Sequence, residues 1–138
     1  SARLCEELRE KRGWAYSVGF DYISLKESGI FVASAMVDKR YSKETQKLII
    51  KILEDVGKYG VTESELEIAK NTIRGQRLRA EESVLGQASA IAMLDVLGYD
   101  YEFYLNREKR LQKIRTSDIQ TLAKEYFRVD SLYRHVLE

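Results

Sequence analysis

Proline is absent from this chain, and cysteine and histidine each occur once. A lone cysteine closes no intrachain disulfide, and with one histidine it falls short of the three or four ligands of a zinc site, so no self-contained metalloenzyme is expected. No apolar run approaches the roughly 20 residues that a membrane helix requires, and the charged Arg3, Glu6 and Glu7 near the start are unlike a secretory signal. A soluble chain is expected. An excess of one charge is missing as well. Lys plus Arg number 23 against 22 Asp plus Glu, a formal charge of +1, which gives no bulk electrostatic reason for nucleic acid or an anionic membrane as partner. Gly-rich phosphate loops, Cys-x-x-Cys pairs and a Ser-His-Asp set with a spare histidine are all lacking, and several reaction classes go with them. The single thiol fits cytosol, periplasm or mitochondrial matrix alike, with cytoplasm or periplasm as the expected setting.

What remains is 138 residues, 44% apolar and 33% charged, enough for one compact domain over 1–138. The apolar residues Leu4, Cys5 and Leu8 recur at helical spacing, and Gly13 follows Lys11 and Arg12 as a helix stop would. From Trp14 to Ile23 the pattern alternates with period two, the mark of a strand burying one face, with Gly19 keeping a position on the other face small. A polar turn over 26–29 leads into Ile30 to Val37, apolar on both faces and read as a central strand of an antiparallel hairpin. Ser42 is the expected N-cap of an amphipathic helix carrying Leu48, Ile49, Ile52, Leu53 and Val56 to Gly60.

Thr62 and Glu65 have capping-box spacing, with Val61 and Leu66 placed as a hydrophobic staple, and the helix they open runs toward Ala80. The small-residue segment after Ser83 is expected to be a buried helix ending at Gly98. A charged helix follows over about 100–114. Thr116 is the expected cap of a helix with Ile119, Leu122, Ala123, Tyr126 and Phe127 inside, and Leu132 to Leu137 is read as a returning strand. The order αββααααβ predicts an α+β two-layer domain, with helices covering a mainly antiparallel or mixed sheet.

Few residues offer chemistry. His135, in the terminal strand pattern, is read as a structural imidazole, and Cys5, on an apolar stripe, as a buried thiol that a nearby cation could activate. Arg74, Arg77 and Arg79 with Tyr99, Tyr101 and Tyr104 match the ingredients of a nucleic-acid surface, but interleaved Glu63, Glu65, Glu67, Glu81 and Glu82 point to a solvated helix face instead. The segment from Leu8 to Val18 differs. Arg9 and Tyr16 lie seven apart across a helix-to-strand turn, where a guanidinium and a phenol, both donors, could converge on one carbonyl oxygen and hold the oxyanion formed as water attacks. The bland alternative makes Arg9 a surface side chain and Tyr16 a core-facing aromatic.

The stretch SARLCEELREKRGWAYSVGFDYISLKESGIFVASAMVD resembles the second, non-catalytic half of the pitrilysin/insulinase family of zinc peptidases, which includes the mitochondrial processing peptidases and their bacterial relatives. GVTESELEIAKNTIRGQRL, LGYDYEF and IRTSDIQTLAKEYF continue the likeness over nearly the whole chain, LREKRGWAYSV being its most specific element. The resemblance implies a LuxS/MPP-like metallohydrolase fold. It also implies that zinc is held by an inverted His-x-x-Glu-His motif and a distant Glu in the N-terminal half, with no cofactor or metal ligand in this chain. Under the same likeness the C-terminal half closes the chamber and donates an Arg and a Tyr that map onto Arg9 and Tyr16, the site residues expected here. The implied partners are the zinc-bearing half or a homologous subunit and a peptide substrate. The family's first strand would be missing, making 1–138 an N-terminally truncated fragment whose open strand edge invites self-association. The alternative is an inactive scaffold homologue of a processing peptidase subunit.

Overall fold

The computed structural model describes residues 2–137. Helix α1 (Ala2–Cys5) runs into a π-helical turn, Glu6–Glu10, and two strands follow, β1 (Ala15–Ser24) and β2 (Gly29–Val37). Five helices complete the order: α2 (Ser42–Tyr59), α3 (Glu63–Ala80), α4 (Val84–Val96), α5 (Tyr101–Lys113) and α6 (Thr116–Tyr126). The architecture is α+β, and among the described residues the sheet is the antiparallel pair β1–β2. The chain gathers into two compact units. One holds Ile30–Gly60 with the segments before Ser24 and after Ile119; the other holds Ser24–Gly29 and Val61–Ile119.

The first unit is apolar at its centre. Leu4, Leu8 and Ala15 are buried, and Trp14, Val18 and Phe20 from the first strand region, Ala33, Ala35 and Val37 from β2, and Leu48, Ile49 and Ile52 from α2 pack around them. The expected stripe of α2 thus faces the hairpin, the arrangement that its spacing dictates. On the sheet's other face a Cβ at Gly19 would stand 2.8 Å from Ser34 Oγ, so a larger residue there would make the Ser34 hydroxyl move. Phe127 meets Phe20 and Phe31 edge-on, at ring-centroid distances of 6.0 and 5.2 Å.

The second unit is held largely by polar contacts. Thr62 accepts from the Glu65 amide and Glu65 returns the bond to the Thr62 amide at 2.8 Å, the expected capping box, while Leu66 is buried. Arg74 donates to Glu108 at 2.6 Å, and the buried Lys70 ammonium reaches Glu67 at 3.1 Å and the Gln112 carbonyl at 3.3 Å, joining α3 to α5. Arg107 and the Tyr104 hydroxyl share the Glu81 carboxylate.

Several expectations are corrected. Leu132 to Leu137 is not a strand: Arg128 pairs with Asp130, a 3-10 turn forms over Val129–Ser131, and the segment after it has no regular structure. No third strand lies beside β1 or β2 among the described residues, so β2 is an edge rather than a central strand. Helix α4 forms with Ser83 as its cap but buries none of its residues, and Val84, Leu85, Met93 and Val96 are exposed. Its apolar side chains surround the axis, so no single stripe directs it onto a neighbour.

Ser42 does not cap α2. A 3-10 turn, Lys39–Tyr41, capped by Asp38, already leads into the helix, and Ser42 Oγ accepts from Gln46 instead. Thr116 is the first residue of α6 and donates to Glu63 at 3.1 Å, while Asp118 accepts from the Arg115 amide. Of the residues expected inside α6, Ala123 is buried, but Leu122 and Tyr126 are exposed.

Candidate functional site

The segment from Leu8 to Val18 folds as a tight helix-to-strand turn. Leu8, fully buried, and Ala15, 8% exposed, anchor its two arms in the same apolar cluster. Between them the Lys11 amide donates to the Glu6 carbonyl (2.9 Å), the Gly13 amide to the Arg9 carbonyl (3.1 Å) and the Trp14 amide to the Leu8 carbonyl (2.9 Å). Gly13 takes φ +62°, a left-handed conformation that disfavours any side chain, which is why the helix stops there.

Each candidate donor is the outward neighbour of an anchor. Arg9 follows Leu8 and is exposed; Tyr16 follows Ala15 and is 73% exposed. The core-facing reading of Tyr16 is therefore wrong. Tyr16 stays outside the cluster although Val18 and Phe20, two and four residues on and of the same strand parity, pack against it. Glu6 and Glu7, the acids that open the π-helical turn, are already engaged. Lys11 bridges Glu6 at 2.8 Å and Glu7 at 2.7 Å, and Arg12 donates to both the carbonyl and the carboxylate of Glu7. Bonds from Lys11 and then Arg12 hold the Glu7 carboxyl below its ordinary range, and Glu6 and Glu7 raise Lys11 in return. Arg9 is exposed, and its guanidinium can offer several donors.

One feature of this turn escaped the sequence reading. Trp14 stacks on Tyr41 with ring centroids 5.0 Å apart and planes 9° from parallel. Arg12 lies over the indole at 5.4 Å, and Arg40 lies over the Tyr41 ring at 5.0 Å. Trp14 and Tyr41 are remote in sequence and match no spacing rule, so only the folded hairpin brings them together.

The other sequence candidates have structural employment or none. Arg74 and Arg77 both face Glu108, at 2.6 and 3.8 Å, beside a cleft of about 660 Å³ within the second unit. Tyr99 stacks on Phe103, and Tyr101 on Tyr104. His135 is exposed in the irregular C-terminal segment, not held in a strand. Cys5 is a free, half-buried thiol. Among the described residues no group of three or more His, Cys, Asp and Glu is placed to hold a metal ion, so the donor set of this chain does not fit a zinc site. No helix of the described residues is long and apolar enough to cross a membrane.

The hairpin and helices thus form an α+β fold in which Arg9 and Tyr16 are exposed on one turn, and the described residues hold no metal-ligand cluster. Residues 1–73 match the family model described as the peptidase M16 inactive domain, and the chain belongs to that family. Among curated proteins, one described as an uncharacterized zinc protease of Mycobacterium leprae is 33% identical over 118 residues, covering 83% of this chain and 25% of that protein. Another, from Mycobacterium tuberculosis, is 28% identical over 125 residues, covering 90% of this chain and 28% of its own length. A Helicobacter pylori relative named a non-peptidase homolog is 26% identical over 134 residues, 95% of this chain and 30% of that one. The chain thus spans between a quarter and a third of these relatives. Two solved structures share the fold. The peptidase M16 inactive domain of Pseudomonas fluorescens superposes with a TM-score of 0.78 at 23% identity, over 93% of this chain and 30% of that one. A protease from H. pylori gives 0.81 at 24% identity, over 91% and 30%.

Proposed function

We propose that this chain is the non-metal-binding half of a zinc peptidase, in which Arg9 and Tyr16 grip the substrate's scissile carbonyl and stabilise the oxyanion. The observation that carries this reading is the placement of the two donors. They leave adjacent arms of one hydrogen-bonded turn, each beside a buried anchor, with Glu6 and Glu7 already satisfied by Lys11 and Arg12. A guanidinium and a phenol held this way donate to a carbonyl oxygen, and they matter most once that oxygen becomes charged, because preorganised donors favour the charged form. The zinc of the family names belongs in this reading to a separate half, with which this domain forms the peptide-binding chamber. Alone, the chain hydrolyses nothing.

The test is kinetic. In the assembled peptidase, Arg9→Ala and Tyr16→Phe each lower kcat by about a hundredfold or more, with the smaller change in KM, as loss of one oxyanion donor does. A second reading has one observation in its favour, the H. pylori relative named a non-peptidase homolog. In that reading the chain only scaffolds an assembly, and the same two variants leave assembly and function unchanged.

A further inference from the structure

Two anchors fix where Arg9 and Tyr16 leave the core, but Leu8 and Ala15 alone do not fix their mutual placement. Between them lies Gly13, with a positive φ and nothing within 4 Å of where a Cβ would stand, so no side-chain packing supports the turn at that point. The residue that follows is bound on several sides. The Trp14 amide donates to the Leu8 carbonyl at 2.9 Å. Its indole stacks on Tyr41, which sits in the 3-10 turn after β2, and so ties the start of β1 to the end of the neighbouring strand. Arg12 covers the indole and, through its Nη1, holds the carbonyl and carboxylate of Glu7 in the π-helical turn that carries Arg9. At the far end Arg40 lies over Tyr41 and pairs with Asp38 at 3.3 Å. The path from Glu7 through Arg12 and Trp14 to Tyr41 therefore spans Gly13 and runs through neither donor's side chain.

We infer that the Trp14–Tyr41 stack, braced by Arg12, is the positioning element that sets the separation of the Arg9 guanidinium and the Tyr16 phenol. This rests on the proposed role of those two donors and adds to it. Trp14 and Tyr41 are positioning residues; they meet no substrate themselves. A stack of this kind tolerates another aromatic ring but not an aliphatic side chain of lesser face, which separates it from simple apolar filling.

The experiment compares Trp14→Leu, Trp14→Phe, Tyr41→Leu and the Trp14→Leu/Tyr16→Phe double variant in the assembled peptidase, with Tyr16→Phe as reference. Trp14→Leu and Tyr41→Leu each lower kcat by about tenfold to a hundredfold, the scale expected for misplaced catalytic groups, with KM nearly unchanged. Trp14→Phe restores most of the loss, and Trp14→Leu adds little to Tyr16→Phe, since a phenol already removed has no position to lose. Full turnover in Trp14→Leu beside a crippled Tyr16→Phe overturns the positioning role and leaves the donor role standing. Full turnover in both Arg9→Ala and Tyr16→Phe overturns the donor role and this inference with it. Should the leucine variants fail to fold, NMR of the 138-residue chain replaces them. Trp14→Phe then keeps the Arg9 Nε–H and Tyr16 ring resonances near their wild-type positions while Arg12→Gln, which removes the brace and leaves both rings, moves both, and resonances of Arg9 and Tyr16 unmoved in folded Arg12→Gln contradict the inference.

Discussion

The two compact units of the chain hold themselves together by different means. The unit that carries Arg9 and Tyr16 is centred on Leu4, Leu8 and Ala15 with aliphatic and aromatic side chains around them. The other is tied helix to helix by Lys70 to the Gln112 carbonyl, Arg74 and Arg77 to Glu108, and Arg107 to Glu81. Apolar packing is close and unforgiving of displacement, whereas half-exposed ion pairs are screened and adjustable. Arg9 and Tyr16, the donors proposed above, are carried by the unit with the apolar centre.

The largest expected effect comes from the centre of the first unit. Leu8→Ala leaves a cavity in a fully buried position and costs about 2–5 kcal/mol. Amide exchange detects it as lost protection in β1, β2 and α2 with α3 and α5 spared; equal loss in both units would erase the distinction between them. A smaller effect belongs to the second unit. Thr62→Ala removes the capping box of α3 and costs about 1 kcal/mol, read as lost protection at the α3 N-terminus and none in β1.

Smaller still is the response to acid and salt. A hydrogen bond and the charge of Arg74, then a bond from Gln112 and the charge of Arg77, hold the Glu108 carboxyl below its ordinary 4.5 in the folded chain. A depressed carboxyl stabilises fully above the unfolded value and loses that contribution as pH falls through the folded one. Lowering pH from 6 toward 3 should therefore loosen the α3–α5 contact, and high salt should do so mildly at neutral pH. Both are read from the Arg74 Nε–H resonance; Glu108→Gln removes the acid response, and an unchanged resonance throughout the titration would contradict the assignment.

Much of this was legible in the sequence because it is local. The capping box at Thr62 and Glu65, the stripe of α2 and the stop at Gly13 are written in neighbouring residues, and each is found where the pattern puts it. The returning strand was misread because alternation over Leu132 to Leu137 carries no information about a pairing partner. The burial of α4 was misread because small apolar residues permit close packing without specifying what packs. At the site, the spacing of Arg9 and Tyr16 pointed to the turn, while the exposure of Tyr16 depended on which neighbour, Ala15 or Tyr16 itself, the cluster took in. The Trp14–Tyr41 stack lay outside any pattern, being a product of the hairpin's closure.

The central claim is that the two exposed donors act together on one oxygen. A double-mutant cycle of Arg9→Ala and Tyr16→Phe in the assembled peptidase tests it most directly. The account predicts that each single variant loses about a hundredfold in kcat and that the double loses much less than the product of the two. Losses that multiply without coupling, or turnover unchanged in all three variants, would contradict it.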